Sequence, residues 1–523
     1  MTDLFRHISL HGYDKLVDSG LLSYERFFWF CLHATIFVFM YIALTFTWDQ
    51  FVMQTFSINL HNPLYPVENV PFPAVSICSN NRISRKAAAK YALQLSRLDP
   101  ANRSVEYFEK SILHFMGLYF QYERSDDFDA YGEFQKFLDH YATDNNETFY
   151  NILGVMKMLT PSCENLIINC MLGTKPIECF SKNAFQTQLT MYGPCCTFNA
   201  NNVYSKRSYS TRYAGSNMGL IVILNTSQSD DTGSLLNMDG YAVLVHAPNK
   251  FPDTSSGGIL EVFPSTNEES YLAVRARVTD SDPDLRTFTA SHRKCYFDNE
   301  SPYPQVLVNN RYSMQNCITS CRAKSVMALC NCIPFYMPLA LIEGAKGIPF
   351  CTLSNIECIQ QYRFKWRNVL THRVEIMGLE REHEEALFCP ACLPSCDDIR
   401  YSISMMSLPV DQFSFLGGVS SAPQLKDSNT QISVLRVFFG DTTAQFYRRV
   451  LTNAWSKAFC TVGNIVSICM GFSLVAILEM LYFVLKNLFA SLKTYVKKST
   501  SRSKWRRVSR LSTANSKQLL ICP

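Results

Sequence analysis

The stretch from Cys460 to Leu485 constrains the fold of this chain most strongly, because it is predominantly apolar and carries one charged residue, Glu479. A helix of this length crosses a bilayer core about 30 Å thick. A carboxylate at membrane depth is costly and usually faces a protein interior or a watery path, while small residues allow close helix packing. Three interpretations follow: a helix that lines an ion pore, a plain anchor with Glu479 at the interface, or a helix-packing face.

A second apolar stretch, Phe27–Thr47, lies near the N-terminus. Trp29 and Trp48 lie near its ends, as interfacial aromatic residues do, and its only ionisable residues are Cys31 and His33. No small-residue cleavage pattern follows it, so the sequence predicts a signal anchor.

The charge distribution predicts the orientation of the two spans. From Lys486 to the C-terminus there are ten Lys or Arg residues and no Asp or Glu, which places that tail in the cytosol. Such a run also attracts anionic membrane lipid, although an orientation signal is the simpler explanation. Two spans return the chain to its starting side, so we expect a multi-pass plasma-membrane protein with both termini cytoplasmic. Its predicted segments are a cytoplasmic segment 1–26, a first span 27–47, an extracellular domain 48–459, a second span 460–485 and a basic cytoplasmic tail 486–523.

Sixteen of the 20 cysteines lie between Cys78 and Cys396. The same region contains four Asn-x-Ser/Thr acceptors for glycosylation, Asn102, Asn146, Asn225 and Asn299. Both features are typical of an oxidising compartment and predict disulfides. The pair Cys389-x2-Cys392 also has a spacing found in zinc sites, but the acceptors favour disulfides, whose connectivity spacing alone does not reveal.

Helical and strand patterns both occur between the spans, which predicts an α+β domain. Predicted helices cover 84–96, 104–120 and 133–141, and a polar helical hairpin covers 360–387. Predicted strands cover 220–224, 241–247, 271–278, 305–308 and 432–439. The fold class is therefore a membrane protein in which two transmembrane helices flank a large disulfide-rich α+β extracellular domain.

The sequence predicts no enzyme. His383-Glu384-Glu385 lacks the second histidine of a helical zinc-protease motif, and neither a phosphate-binding loop nor a Gly-x-Ser-x-Gly elbow occurs. We expect no cofactor, no metal and no nucleic-acid partner.

The second span has the chemistry that a cation pore needs. Backbone carbonyls at small residues and hydroxyls such as that of Ser473 can replace the water of a cation, and rings of Glu favour cations. One helix per subunit cannot enclose a pore, so conduction requires a closed ring of subunits. Glu479 lies six residues beyond Ser473, about 9 Å along a helix. These observations leave pore and anchor equally open.

An ordered series of motifs runs through nearly the whole chain. They are His11-Gly12, Glu25-Arg26-x2-Trp29, Phe72–Cys78, Gly240-Tyr241, His246-Ala247-Pro248, Phe251-Pro252, Arg293-x-Cys295, Tyr312-Ser313, the cysteines from Cys317 to Cys332 with Pro334 and Pro338, Cys392-Leu393-Pro394-x-Cys396, and Gly471-Phe472-Ser473 with Glu479. In this order and spacing the chain resembles the degenerin/epithelial sodium channel family, and most closely its insect pickpocket branch.

The resemblance implies a trimeric channel with a hand-like ectodomain of palm, finger, thumb and knuckle parts. It implies that sodium permeates and that amiloride blocks. Gly471, Phe472 and Ser473 match the Gly-x-Ser selectivity filter at which the second helix of the family is broken, and Glu479 matches the carboxylate below it. Phe472 is bulkier than the residue that many relatives have there.

The resemblance also implies gating residues. His11 and Gly12, which composition alone identifies as a surface turn, match a motif that supports gating from the cytosolic side. Cys460 falls near the position at which bulk holds related channels open.

Disulfide pairings are a further implication of the resemblance. The implied pairs are Cys295–Cys396, Cys317–Cys392, Cys321–Cys389, Cys330–Cys358 and Cys332–Cys351. Cys78 is expected to pair with Cys195 or Cys196, and the four remaining cysteines, namely Cys163, Cys170, Cys179 and the other member of that doublet, would form two more bridges.

The functional hypothesis is a pore-forming subunit of a trimeric, sodium-permeable, amiloride-sensitive channel, gated through its extracellular domain. The alternative is an auxiliary or cue-binding subunit that conducts only in a heteromer with related subunits. The stimulus stays open between an extracellular ligand, acid, mechanical load and constitutive leak. An ATP-gated trimeric channel is disfavoured, because those channels bind phosphates through lysines in a different cysteine framework.

Overall fold

The structure is a computed structural model of the 523-residue chain. It describes residues 10–18, 20–53, 56–122, 128–143, 147–181, 184–200, 209–226, 230–308, 311–372, 378, 380–410, 431–451 and 455–493. The chain divides into two units. The first joins the two ends of the chain, up to Ser57 and from Leu451 onward, and the second runs from Ile58 to Val450.

Helices occur in both units. The α-helices are α1 (Tyr13–Val17), α2 (Ser23–Met53), α3 (Arg85–Leu98), α4 (Val105–Ile112), α5 (Phe128–Phe137), α6 (Ile152–Leu159), α7 (Cys163–Leu166), α8 (Ala290–Arg293), α9 (Met314–Cys330), α10 (Ile356–Gln361), α11 (Arg363–Arg367), α12 (Glu380–Glu385), α13 (Trp455–Met470) and α14 (Leu474–Lys493). Short 3₁₀ segments cover Val67–Asn69, Leu113–Leu118, Thr254–Ser256, Pro283–Thr287, Pro304–Val306, Leu339–Leu341 and Leu353–Asn355, and Leu138–Ala142 is π-helical.

The strands are β1 (Phe56–Pro66), β2 (Ala74–Ser79), β3 (Asn81–Ser84), β4 (Ile167–Leu172), β5 (Lys175–Pro176), β6 (Phe185–Thr190), β7 (Gly193–Phe198), β8 (Leu220–Asn225), β9 (Asp231–Ser234), β10 (Tyr241–His246), β11 (Leu260–Val262), β12 (Glu268–Ser281), β13 (Val369–Leu370), β14 (Leu387–Phe388), β15 (Asp398–Pro409), β16 (Ile432–Phe439) and β17 (Thr443–Leu451).

The first unit contains the two apolar stretches. Helix α2 contains the predicted first span, and α14 is also long and apolar enough to cross a membrane. Only 6% of the most apolar window of each helix is buried, whereas the core helix of a soluble protein would be mostly buried. Apolar side chains that face outward on all sides of a helix are typical of a membrane span.

The composition of the second apolar stretch predicts one continuous helix. The structure shows two helices instead. The stretch begins as α13, breaks at residues 471–473 and resumes as α14. It therefore extends beyond the predicted boundaries 460–485 at both ends, and the break lies at the Gly-x-Ser motif where the resemblance implies it.

The second unit is built on two sheets. An eight-stranded sheet has the order β1-β17-β12-β16-β8-β4-β5, and β15 also pairs with β12. Strand β12 is antiparallel to β15 and parallel to both β16 and β17. A five-stranded antiparallel sheet has the order β11-β10-β2-β7-β6.

The five-stranded sheet is buried on both faces, because it lies between two hydrophobic cores. In β10 the side chains alternate: Ala242 and Leu244 belong to one core, while Tyr241, Val243 and Val245 belong to the other. This alternation follows from the two-residue period of a strand. The first core contains the helical parts of the unit, and the second fills the space between the two sheets.

Eight disulfides staple this unit. They are Cys78–Cys195, Cys163–Cys196, Cys170–Cys179, Cys295–Cys396, Cys317–Cys392, Cys321–Cys389, Cys330–Cys358 and Cys332–Cys351. The five pairs that the resemblance implies are among them, and Cys78 takes the first member of the doublet. The predicted architecture of two apolar helices flanking a disulfide-rich α+β domain is confirmed.

Two local predictions were wrong. The predicted strand at 305–308 is largely a 3₁₀ turn, because Pro304 begins that turn, and Val308 makes only an isolated bridge to Arg311. The predicted hairpin at 360–387 contains the short helices α11 and α12 and a parallel pairing of β13 with β14 rather than two long helices. Trp366 of this segment is buried, so its inner face packs on the core.

Three of the four predicted glycosylation sites lie in the described part of the chain. Asn102 and Asn299 are exposed, and Asn225 is half-buried at the end of β8. Asn146 and the basic tail beyond Lys493 lie outside the described residues. Glycosylation itself stays a prediction.

Candidate ion-conduction site

The break in the second apolar stretch is built by a glycine and a serine. The Gly471 N–H donates to the Ser467 carbonyl (2.8 Å), which closes the last turn of α13. Gly471 then adopts a φ of +71°, a conformation that ends helices and favours glycine. The Ser473 Oγ accepts from the Ala476 N–H (3.2 Å) and caps α14. The hydroxyl proposed above as an ion ligand thus also serves as a helix cap.

Residues 471–473 therefore place non-helical backbone inside an apolar segment. The last carbonyls of a helix have no partner within that helix. Such backbone is tolerated at membrane depth only where protein covers it or where it lines a water-filled cavity. The break thus offers carbonyl oxygens of the kind that replace the hydration shell of a cation.

The His11-Gly12 turn lies against this break. The His11 N–H donates to the Met470 carbonyl (3.2 Å), the last residue of α13. The imidazole covers Gly471 so closely that a Cβ on this glycine would lie 2.7 Å from the His11 Cδ2. Gly12, with a φ of +70°, turns the chain into α1. Two predicted site motifs from opposite ends of the chain are therefore in contact.

His33 of α2 contacts the His11-Gly12 turn, and sequence reasoning missed this contact. Its Nδ1 lies 2.7 Å from the Trp29 carbonyl and its Nε2 lies 3.1 Å from the His11 carbonyl. The ring is 8% exposed and meets the Tyr13 ring edge-on at 4.7 Å. An imidazole in an apolar span was the available signal, but its partner could not be read from the sequence.

The other predicted pore and gating residues lie along the second apolar stretch. Cys460 is exposed on α13, ten residues before Met470, or about 15 Å along the helix. Phe472 is half-buried within the break, and Glu479 is half-buried on α14.

The second unit contains a cleft of about 480 Å³ with several carboxylates in its wall. The Lys250 Nζ is buried there and pairs with the Asp398 Oδ1 at 2.8 Å. Burial, together with repulsion from Asp280 and Asp298, raises the pKa of Asp397 to about 6. The cleft therefore holds a group that changes charge in mildly acidic solution.

The comparison with a family model and the comparisons with individual proteins agree on one family. The family model "Amiloride-sensitive sodium channel" matches residues 4–483. The chain is 22% identical to Pickpocket protein 28 of Drosophila melanogaster (92% of this chain, 77% of that protein) and 20% identical to Sodium channel protein Nach of Drosophila ananassae (91% and 84%). It is 22% identical to the human Bile acid-sensitive ion channel (84% and 77%). The two apolar helices that flank the disulfide-rich domain agree with this match. The chain belongs to the amiloride-sensitive sodium channel family, whose members are membrane cation channels and not enzymes.

Proposed function

We propose that this chain is a pore-forming subunit of a trimeric, sodium-permeable, amiloride-sensitive cation channel. It lies in the plasma membrane with both termini in the cytosol, and its disulfide-rich domain is extracellular and drives the gate. The observation that carries this proposal is the break at residues 471–473, with the His11-Gly12 turn packed against it.

The break supports conduction because three copies around an axis would form a ring of backbone carbonyls. A cation that sheds part of its water can bind such oxygens. Glu479, one and a half helical turns beyond the break, would add a ring of carboxylates that attracts cations and repels anions. The turn would lie beside the filter on the cytosolic side, where its movement could alter the filter geometry.

A second candidate is an auxiliary subunit that conducts only in a heteromer. The half-buried Phe472 favours it, since a bulky side chain stands in the middle of the filter motif. In this case related subunits would supply the remaining filter positions.

Oocytes that express the full chain alone would test the proposal. We expect an amiloride-blocked current whose reversal potential follows external sodium. Ser473→Cys should make the current sensitive to thiol reagents, Glu479→Gln should reduce cation over anion selectivity, and Cys460→Phe should raise the resting current. Glu106→Gln is the charge-matched control, because Glu106 is exposed on α4 and pairs with Lys110 at the surface.

Unchanged selectivity and thiol sensitivity in a chain that conducts would contradict the pore assignment. If the chain is silent alone, the same variants are measured with a related subunit. Thiol block through Ser473→Cys in that heteromer supports a pore-lining role, whereas a lack of block supports the auxiliary role.

A further inference from the structure

Three arginine side chains are buried among the residues that the structure describes, namely Arg82, Arg293 and Arg322. Arg293 forms an ion pair with Glu300, and Arg322 forms one with Asp253. Arg82 lies on β3 and is 1% exposed, yet it forms no ion pair with any described residue. A buried charge is costly unless an opposite charge accompanies it. Arg82 therefore requires a negative charge that the described part of the chain does not supply.

The unsatisfied N–H groups of Arg82 lie on one edge of its guanidinium. The Nη1 donates to the Pro194 carbonyl (3.1 Å) and lies 3.9 Å from the Sγ of Cys195, which is bonded to Cys78. The Nε and Nη2 are buried and have no hydrogen-bond partner among the described residues. The N–H bonds of these two nitrogens point the same way and form the fork that binds anions through two hydrogen bonds. One edge of the side chain is thus fixed to β7, and the other faces an acceptor.

The neighbouring tyrosines do not provide the negative charge. Tyr119 and Tyr192 have the largest electrostatic effect on Arg82, and both are buried. Burial raises the pKa of Tyr119 despite the nearby arginine, and burial together with the hydrogen bond to Glu261 raises the pKa of Tyr192. Both phenols are therefore neutral at physiological pH. Although burial lowers the pKa of Arg82, a guanidinium keeps its proton in proteins.

The carboxylate closest to this cluster is engaged elsewhere. The guanidinium carbon of Arg82 lies 5.9 Å from the centre of the Tyr192 ring. The Tyr192 hydroxyl donates to the Glu261 carboxylate, and Glu261 makes no hydrogen bond to Arg82. Glu261 thus does not occupy the fork of the guanidinium.

The burial of Arg82 limits the size of the anion. The adjoining part of β7 is tightly packed, since a Cβ on Gly193 would lie 2.7 Å from the Tyr119 Cε1. A peptide carboxylate or a phosphate ester would have to bring its whole molecule between these strands, whereas a halide needs room for one atom. Chloride is the abundant ion of this kind in extracellular and luminal fluid.

We propose that Arg82 binds a chloride ion through its Nε–H and Nη2–H, and that this ion is a structural component of the disulfide-rich unit. The ion neutralises the arginine that connects β3 to Pro194 and Cys195 of β7. Because the site exists only in the folded chain, chloride stabilises the unit by mass action. This inference does not depend on the proposed channel function, and neither of its tests requires a current.

Bromide provides the direct test, because it replaces chloride and has an anomalous X-ray signal. The full chain is purified and crystallised in sodium bromide throughout. We expect an anomalous difference peak within hydrogen-bond distance of the Arg82 Nε and Nη2. A fork that is bonded only to water, with no anomalous peak, would overturn the inference.

Thermal unfolding provides the second test. The full chain in lipid nanodiscs is unfolded at increasing chloride concentration, with gluconate added to keep the ionic strength constant. We expect the melting temperature to rise by about 2 °C for each tenfold increase in chloride above the Kd. Bromide should substitute for chloride, whereas gluconate should not. The same melting temperature in chloride and in gluconate would contradict a structural chloride.

Three variants assign the response to Arg82. Arg82→Met retains the apolar stem and removes the charge, so its melting temperature should not respond to chloride. Arg82→Lys keeps the charge but lacks the fork, so its response should require at least about tenfold more chloride. Arg97→Met removes an exposed arginine of α3 and should respond as the wild type does.

The outcome remains decisive if Arg82→Met does not fold, because Arg82→Lys and the bromide map of the wild type address the same site. A chloride response that is equal in the wild type, Arg82→Lys and Arg97→Met would show that chloride acts elsewhere and would overturn the assignment.

Discussion

At the residue scale, the contact between His11 and Gly471 explains why position 471 has no side chain. Gly471 has a left-handed backbone and an imidazole directly over its Cα. The left-handed backbone and the nearby imidazole each disfavour a residue with a Cβ at this position. Together they tie the backbone geometry of the helix break to the position of the N-terminal turn.

Gly471→Ala should therefore abolish most of the current at equal surface density. The new Cβ would lie 2.7 Å from the His11 Cδ2, and the left-handed backbone adds a cost of about 1–2 kcal/mol, so we expect a loss of at least about tenfold. Whole-cell current divided by surface-labelled protein measures the effect.

Gly344→Ala is the matched control, because Gly344 has a similar φ of +77° but no atom within 4 Å of its Cβ position. Its current should stay close to that of the wild type. If Gly471→Ala also conducts normally, the turn does not pack on the filter as described.

At the element scale, a buried ion pair fixes α9 to the loop after β10. Arg322 on this helix and Asp253 in the loop are both fully buried and form an ion pair. The Arg322 Nε also donates to the Trp366 carbonyl (2.8 Å), and the Thr319 hydroxyl donates to Asp253 (3.1 Å). The pair thus joins three segments that are distant in sequence.

Asp253→Asn should destabilise the disulfide-rich unit by about 3–5 kcal/mol, because it leaves the buried Arg322 charge without a partner. Thermal unfolding of the purified chain and the fraction that reaches the cell surface both measure this loss. The control is Asp441→Asn, which breaks an exposed pair with Arg275 (3.0 Å) and should cost less than about 1 kcal/mol. Equal effects of the two substitutions would contradict a structural role for the buried pair.

The elements that sequence predicts well are those with strong local patterns. The strands of the β-rich region follow from runs such as Leu220–Leu224, whose residues are buried in β8. The strand at 305–308 failed because its short apolar run has no neighbouring strand in the described chain, and Pro304 sets a turn. The contact between His33 and the turn was invisible because its partner is a backbone carbonyl 22 residues away, which no pattern of side chains encodes.

At the scale of the whole molecule, the acidic cleft connects stability to pH. Asp397 has a pKa of about 6 in the folded chain and about 3.9 when unfolded. As the pH rises between these values, the unfolded chain loses its proton first, so the folded state binds more protons and stability falls. At neutral pH the ionised Asp397 carboxylate therefore destabilises the folded state relative to the unfolded chain.

Asp397→Asn should raise the melting temperature by about 1–3 °C at neutral pH and leave it unchanged near about pH 4. The asparagine can still accept the Ser281 N–H that Asp397 accepts at 2.8 Å. Differential scanning fluorimetry across this range measures the effect. Asp284→Asn, an exposed carboxylate in the same region, should show no such dependence, and an equal shift in both variants would refute the assignment to Asp397.

The adjacent Cys195 and Cys196 have a consequence for biosynthesis. They lie on opposite faces of β7, so each belongs to a different core and pairs with a different partner, Cys78 or Cys163. A shift of β7 by one residue would turn both thiols to the wrong faces. We therefore expect oxidation of the doublet to report the register of β7: only a chain with this strand in register can close both bonds, and a misaligned chain keeps free thiols.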